Sequence, residues 1–308
     1  MPRTTLALSS FVSGEFSAKL DGRTDFDKYN SGVKTMENFL VHPQGAATRR
    51  VGTQHIAEVK DSSKKTRLIP FEFSTTQTYI LEFGNTYIRF FKDKGQILSG
   101  GSPYEISSPY LTAELFDIKF AQSADVMYIT HPNHEVMKLS RTGHTSWTLA
   151  EVDFTDGPYL SENTTTTTLT PGQAGTWTGV NITASATTGI NGGDGWLATD
   201  VGRIISFNSG KAKITARTNT TVVVCTITTA FANTNAIADW KLGAFSDTTG
   251  HPSCVSFFEQ RLVFAGTTDE PQTLYFSKAG DYENMTTGTN ADDAMVYTIA
   301  SNQVNAIR

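Results

Sequence analysis

The sequence predicts an all-β protein, built of propeller-like stacked hairpins with an inserted small β-barrel or sandwich module and an irregular N-terminal arm. Composition is one reason: only 18% of the 308 residues are charged, and the chain is rich in Thr, Ser, Asn and Gly, which favour strands and turns. A second reason is that alternating aromatic-rich runs occur at three places. The third is a Thr-rich, Gly-rich stretch between the second and third runs.

Residues 1–66 form the predicted arm. Five glycines interrupt it, and its charges alternate without helical periodicity. A segment of this kind becomes ordered through the surfaces that it contacts, so we expect a docking function.

Residues 67–158 are predicted to form the first propeller-like blades. The run 68–98 holds two alternating strands around Gly84 and Asn85, which is typical of a β-hairpin. A similar hairpin is predicted within 120–149. Hairpins that cannot bury both faces alone are the units of β-propellers, in which neighbouring blades supply the missing partner.

Residues 159–246 are predicted to be the inserted module. The five consecutive threonines 164–168 fit an edge strand or an exposed loop. From Asp200 the pattern predicts three short strands, separated by turns at 208–210 and 219–220. The blades are expected to resume in 247–308, and alternation there predicts a core made of Phe257, Phe258, Leu262, Val263 and Phe264.

Charge and cysteine content limit the partners. The formal net charge of -5 and the pI of about 5.7 do not provide the basic surface that non-specific DNA binding needs. Mild negative charge suits a wall past which DNA slides, and ordinary solubility explains it as well. Cys225 and Cys254 are expected to be buried free thiols. No membrane span or export signal is evident, so we expect a cytosolic chain unless it leaves within an assembly.

No catalytic, cofactor or metal site is predicted. His131 and His134, in the sequence HPNH, lack an evident third ligand, and Pro132 between them favours a blade turn. Asp21, Asp25 and Asp27 lack the ligand order of a calcium loop, so we interpret them as solvated turn carboxylates.

The segment Phe16–Asp61 resembles the opening of a family of tail proteins in short-tailed bacteriophages, called tail nozzle, tail tubular B-type or stabilisation proteins. The most specific element is the sequence PQGAATRR at 43–50, followed by Gly52. Similarity continues in RLIPFEF (67–73), VGRIISF (201–207), DWKLGAF (239–245) and the run that starts with HPSCVSFF (251–258). Chains of this family usually continue past the point where this sequence stops.

The resemblance implies a homohexameric, β-propeller-like ring or cone below an adaptor ring on the portal vertex. It would form the lower channel for DNA ejection, through which double-stranded DNA passes without specific binding. The implied partners are sister subunits, the tail adaptor and, as neighbours, tail fibres. The implied location is the virion tail, assembled in the host cytoplasm.

The arm contains the candidate interface residues. Arg49 and Arg50 are expected to pair with carboxylates of a neighbouring subunit or the adaptor, since guanidinium groups bind carboxylates with two hydrogen bonds. Solvated loop charges are the alternative. Phe39, Pro43 and Gly45 are expected to fix the path of the arm, and a plain core or turn role is the alternative for them.

The main competing function is a carbohydrate-binding or carbohydrate-active β-propeller, in which aromatic rings and paired carboxylates line a funnel. The candidate rings for that function are Trp147, Trp177, Trp196 and Trp240. A secreted adhesin is a third possibility, and it requires an export signal.

Overall fold

The computed structural model describes residues 7–300, 303 and 305–308. Within these residues the regular structure consists of β-strands and four short 3-10 helices, with no α-helix. The predicted all-β class is therefore confirmed. The chain divides into two compact units, an N-terminal unit over residues 7–56 and a body over residues 57–308.

The division falls ten residues before the expected end of the arm. Residues 57–66 belong to the body, where the Lys60 ammonium lies 2.6 Å from the Glu105 carboxylate. This pair ties the stretch to the first sheet of the body.

The N-terminal unit contains short, separate elements. Its two two-residue strands pair in parallel, and its two three-residue strands form an antiparallel hairpin. The strands are β1 (Gly14–Glu15), β2 (Gly32–Val33), β3 (Phe39–Val41) and β4 (Ala47–Arg49), and the 3-10 helices are Ala18–Leu20 and Tyr29–Ser31. The predicted irregularity of this region is confirmed.

The body begins with sheet I, an antiparallel sheet in the order β11-β7-β6-β5 with β8 paired to β7. Its strands are β5 (Arg67–Ser74), β6 (Gln77–Gly84), β7 (Tyr87–Lys92), β8 (Gly95–Gln96) and β11 (Glu105–Ser107), and a small pair, β9 (Leu98–Ser99) and β10 (Ser102–Pro103), lies beside it in sequence. The predicted hairpin around Gly84 and Asn85 is confirmed as β6 and β7.

Sheet II is a four-stranded antiparallel meander. Its strands are β12 (Lys119–Ser123), β13 (Val126–His131), β14 (His134–Gly143) and β15 (Ser146–Glu151). Met127 and Ile129 on β13 belong to a hydrophobic cluster with sheet I, whereas Tyr128 belongs to a cluster with the last sheet of the chain. Alternate side chains of a strand point to opposite faces, so sheet II is packed on both faces.

The inserted module is one six-stranded sheet, curled into a half-barrel, in the order β16-β17-β20-β19-β18-β21. Its strands are β16 (Leu169–Pro171), β17 (Val180–Ala184), β18 (Ile204–Phe207), β19 (Gly210–Arg217), β20 (Val222–Thr229) and β21 (Trp240–Leu242). Two further 3-10 helices, Asn191–Gly193 and Ala198–Asp200, cross between β17 and β18. The concave face has its own hydrophobic core, and the three strands predicted after Asp200 are confirmed.

Sheet III returns to the four-stranded meander. Its strands are β22 (Cys254–Phe258), β23 (Arg261–Ala265), β24 (Thr273–Phe276) and β25 (Met295–Thr298). Leu262, Val263 and Phe264 are buried as predicted. The prediction for Phe258 is wrong, because this residue ends β22 at a tight turn and is 57% exposed. Phe257 is half-buried against the cluster shared with sheet II.

The structure also tests the expectations for the threonine run and for the two cysteines. The threonines 164–168 form no strand and lie in the loop before β16. Cys225 is a buried free thiol as expected, and burial raises its pKa to about 12. The expectation for Cys254 is wrong, because its side chain is only half-buried at the start of β22.

Across the residues that the structure describes, no helix is both long and apolar enough to cross a membrane.

Candidate subunit interface

The N-terminal unit is held together mainly by backbone hydrogen bonds and one small aromatic group. The Phe16 ring lies 6.1 Å from the Phe26 ring and 6.2 Å from the Tyr29 ring, measured between centroids. The Gly32 backbone packs directly against the Phe16 ring, where a Cβ atom would collide with it. Only glycine therefore fits at this contact.

No apolar side chain of residues 7–56 is buried. Several large ones are largely in solvent, among them Val51 (81% exposed), Leu40 (54%), Val12 (52%) and Phe39 (50%). All three hydrophobic clusters of the described structure lie in the body. The N-terminal unit therefore lacks the apolar burial that normally drives folding.

The hairpin of β3 and β4 presents a mixed surface. Phe39 pairs with Arg49, and Val41 pairs with Ala47. Directly opposite residues in an antiparallel pair project from the same face, so these four side chains share one face of the hairpin. The combination of an aromatic ring, small apolar groups and a guanidinium is typical of the centre of a protein interface.

The predicted interface residues occupy different parts of this hairpin. Arg49 and Arg50 are both exposed, and neither forms an ion pair within the described part of the chain. The Arg50 amide donates to the Asn38 carbonyl at 2.8 Å, which extends the hairpin by one step. Both guanidinium groups are thus available to a carboxylate of another chain.

Pro43 and Gly45 form the turn of the hairpin. Pro43 is exposed, whereas Gly45 is buried and has a φ of 99°, a left-handed value that favours glycine. The Phe11 amide donates to the Gly45 carbonyl at 2.8 Å. Gly45 therefore joins the start of the unit to the hairpin, and its expected role in fixing the path of the arm stays a prediction.

A second exposed apolar surface lies in the body and was not predicted from the sequence. Strand β25 is an edge strand of sheet III, and all four of its side chains are exposed, including Tyr297 at 62% and Val296 at 43%. An open edge strand with apolar side chains is suited to pairing with another chain. The β-branched and aromatic residues of MVYT were a usable signal for the strand, but its place at the edge of the sheet could be seen only in the structure.

Two of the three aspartates near the start of the chain lie beside cationic side chains. Asp25 pairs with Arg23 at 2.6 Å, and this contact lowers the pKa of the Asp25 carboxyl. Asp21 lies 3.4 Å from the Lys34 ammonium instead. For Asp21 and Asp25 this geometry fits the interpretation as solvated turn carboxylates.

The tryptophans of the competing carbohydrate hypothesis do not form a shared surface. Trp147, Trp196 and Trp240 are buried in hydrophobic clusters, and Trp177 is exposed. The Trp240 indole donates to the Thr167 carbonyl at 2.9 Å. Three of the four rings therefore have roles inside the body.

No family model matches the chain, and no curated protein shows significant similarity to it. The resemblance to tail nozzle proteins therefore stays a prediction that depends on the sequence segments quoted above.

Proposed function

We propose that this chain is a structural subunit of a short-tailed bacteriophage tail, related to the tail nozzle proteins. It would assemble with copies of itself, and with an adaptor, into a ring that forms the lower wall of the DNA-ejection channel. Six copies are expected from the resemblance. The virion tail would be its location.

The observation that carries this proposal is that the N-terminal unit is ordered without a hydrophobic core. Ordering a backbone costs roughly 1 to 2 kcal/mol per residue, and burial of apolar side chains is the main term that offsets this cost. Residues 7–56 bury none, yet they form defined strands and turns. Contacts with other chains supply the missing burial most simply, with the Phe39 and Arg49 face as one contact surface.

The body supports a wall-like role. Sheets I, II and III share clusters in series, with sheet II packed between the other two. Sheets II and III are four-stranded meanders, which is the sheet type of propeller blades, whereas sheet I has five strands. A stack of this kind is rigid, and the open edge of β25 provides a place at which further blades or another subunit would continue it.

Charge agrees with a channel that DNA passes without being held. The formal net charge is -5, whereas proteins that bind DNA through its phosphates need clustered lysine and arginine. Repulsion by a weakly acidic wall keeps the polymer moving.

Electron microscopy of purified phage particles that encode this chain tests the proposal. Antibody fragments raised against the half-barrel should label a ring at the tail, below the portal. A matched fragment that binds no virion protein serves as the control. Absence of the chain from the proteins of washed, infectious particles, measured by mass spectrometry, would overturn the proposal.

The interface is tested separately by Phe39→Ser and by a double Arg49→Ala, Arg50→Ala variant. Leu98→Ser is the matched control, since Leu98 is equally exposed (53%) but lies in the body. We expect both N-terminal variants to reduce incorporation into particles and the control to be incorporated normally. Equal incorporation of all three would show that this face is not an interface.

A further inference from the structure

Three potential metal ligands lie together at the turn that joins β13 to β14. His131 ends β13, His134 begins β14, and Glu114 lies in the loop that precedes β12. Ligand atoms of the three side chains all lie within 4.8 Å of one another, and His134 Nε2 is 2.9 Å from Glu114 Oε2. This is the one such group of three His, Cys, Asp or Glu side chains among the described residues.

The local backbone brings these side chains together. His131 and His134 face each other across the two-residue turn, and the register shifts between Ile129 and His131, which marks a bulge of the kind that re-aims side chains. The Glu114 carboxylate is fixed from the other side, because the Leu111 amide donates to Glu114 Oε2 at 2.8 Å. Sequence reasoning found the two histidines but missed Glu114, which is 17 residues before His131.

One nitrogen of the group is buried without a partner. His131 is 1% exposed, and its Nε2 atom has no hydrogen-bond partner among the described residues. The hydroxyl of Tyr110, whose ring centroid lies 5.3 Å from that of His134, is likewise buried and unpaired in that part of the chain. Buried polar atoms are nearly always satisfied, so the unpaired Nε2 atom of His131 points to a missing ligand.

The group is also reachable from solvent. The side chains of His134 and Glu114 are 22% and 18% exposed, whereas His131 and Tyr110 are at the inner side. The outer two side chains of the group are therefore in contact with solvent, and the third is buried behind them.

We propose that Glu114, His131 and His134 bind a divalent transition-metal ion, with Zn²⁺ as the best chemical match. Two imidazoles and one carboxylate form a known type of Zn²⁺ ligand set, with bonds of about 2.0 to 2.2 Å and water in the fourth position. Tetrahedral geometry at these bond lengths puts ligand atoms about 3.3 Å apart, so the widest pair here has to close by no more than about 1.5 Å. Imidazole ligands favour Zn²⁺ over Mg²⁺ or Ca²⁺.

Metal binding has a specific local consequence. The Asn133 amide donates to His131 Nδ1 at 3.1 Å, which leaves the proton of a neutral ring on Nε2. A metal ion on Nε2 requires that proton to move to Nδ1, and an ion on Nδ1 displaces the amide directly. In both cases the contact from Asn133 is lost, so the amide resonance of Asn133 reports occupancy.

The bound ion would link the loop after sheet I to sheet II. Glu114 follows the last strand of sheet I, and the two histidines belong to sheet II. An ion that binds the folded chain only raises its melting temperature by mass action. This proposal is independent of the tail function, because it concerns the joint between two sheets of one chain.

Zn²⁺ titration of the full chain, freed of any histidine-containing tag, tests the site by calorimetry. The variants are Glu114→Gln and His134→Gln. Asp247→Asn is the matched control, since His251 Nε2 lies 2.9 Å from Asp247 Oδ1 in a histidine–carboxylate pair outside the three-residue group. The melting temperature of each metal-free variant is measured first, which separates loss of binding from loss of folding.

We expect one Zn²⁺ per chain, a higher melting temperature with Zn²⁺ but not with Mg²⁺, and a shifted Asn133 amide resonance. Each of the two site variants should weaken binding by at least about tenfold, the lower end of what loss of a supporting contact costs at metal sites, and Asp247→Asn should bind as the wild type does. No saturable binding by the wild type, or equal binding by folded site variants, would overturn the proposal.

Discussion

The N-terminal unit and the body differ in how much apolar surface they bury. The body contains three hydrophobic clusters, and its strands β13 and β23 are buried on both faces. Residues 7–56 contain short strands, turns and two aromatic contacts of Phe16, with no buried apolar side chain. The difference teaches that the body has hydrophobic cores of its own, whereas residues 7–56 have none, which is why we propose that the N-terminal unit depends on other surfaces.

Among the substitutions that test this comparison, Phe264→Ala in the body is expected to cause the largest loss of stability. Phe264 is fully buried, and the rings of Phe154 and Phe245 each lie 5.8 Å from it. Removing the ring leaves a cavity, so the free energy of unfolding should fall by about 3 to 5 kcal/mol. Urea denaturation measures it, with the exposed Phe258→Ala as the control, expected within about 0.5 kcal/mol of the wild type. Equal losses in the two variants would contradict the assignment of sheet III.

A smaller loss is expected from Tyr87→Phe. The Tyr87 hydroxyl donates to Glu82 Oε1 at 2.5 Å, and Glu82 is 1% exposed. Without this donor a buried carboxylate oxygen loses its partner, which costs about 1 to 3 kcal/mol. Tyr297→Phe removes a hydroxyl from a side chain that is 62% exposed and is the control in the same denaturation experiment. A Tyr87→Phe variant as stable as the wild type would contradict the importance of this contact.

The stability of the body should change with pH because of Glu135. Burial raises the pKa of Glu135 from its usual value of 4.5 to about 7. A hydrogen bond with Glu151 and the charge of Glu151 act in the same direction, whereas the charge of Lys213 lowers the pKa. The folded state therefore favours the protonated form. The contribution of protonated Glu135 to the free energy of unfolding is fully present below pH 4.5 and is lost as pH rises through about 7.

Glu135→Gln should remove this dependence, because the amide remains neutral and can still donate to Glu151. Melting temperatures between pH 4.5 and 8 provide the measurement. The wild type should lose stability relative to Glu135→Gln as the pH rises through 7. Parallel curves for the two proteins would contradict the raised pKa.

The smallest effect on stability is expected in the N-terminal unit. Phe39 is half exposed, so Phe39→Ser should change the unfolding free energy of the monomeric chain by less than about 0.5 kcal/mol. Denaturation of the dilute chain measures this change. A loss of 2 kcal/mol or more would show that Phe39 is part of a core, and it would remove the contrast between the two units.

Much of the body could be predicted from the sequence because its strands alternate strongly. The hairpins at β6 and β7, β13 and β14, and β23 and β24 follow that pattern directly. The turn at Glu259 and Gln260 was missed, since neither residue is a typical turn former although both have positive φ values. Phe258 was therefore assigned to the core, although it lies next to this turn and is 57% exposed.

The candidate sites were less predictable for a different reason. Arg49 and Phe39 were found as members of a sequence segment, but their shared face depends on the register of β3 and β4. Glu114 has no sequence feature that links it to His131 and His134, because the contact arises from how the loop before β12 packs. Contacts between distant segments are set by tertiary structure, and a single sequence contains little information on them.

Hydrogen exchange of the chain, at a concentration where sedimentation shows a monomer, tests the central claim most directly. Amides in the centres of sheets I, II and III and the half-barrel should be strongly protected, because their opening requires unfolding of buried clusters. Amides of residues 7–56, including those of the β3 and β4 hairpin, should exchange rapidly and become protected only in assembled particles. Protection of residues 7–56 in the monomer equal to that of the sheets would contradict the account.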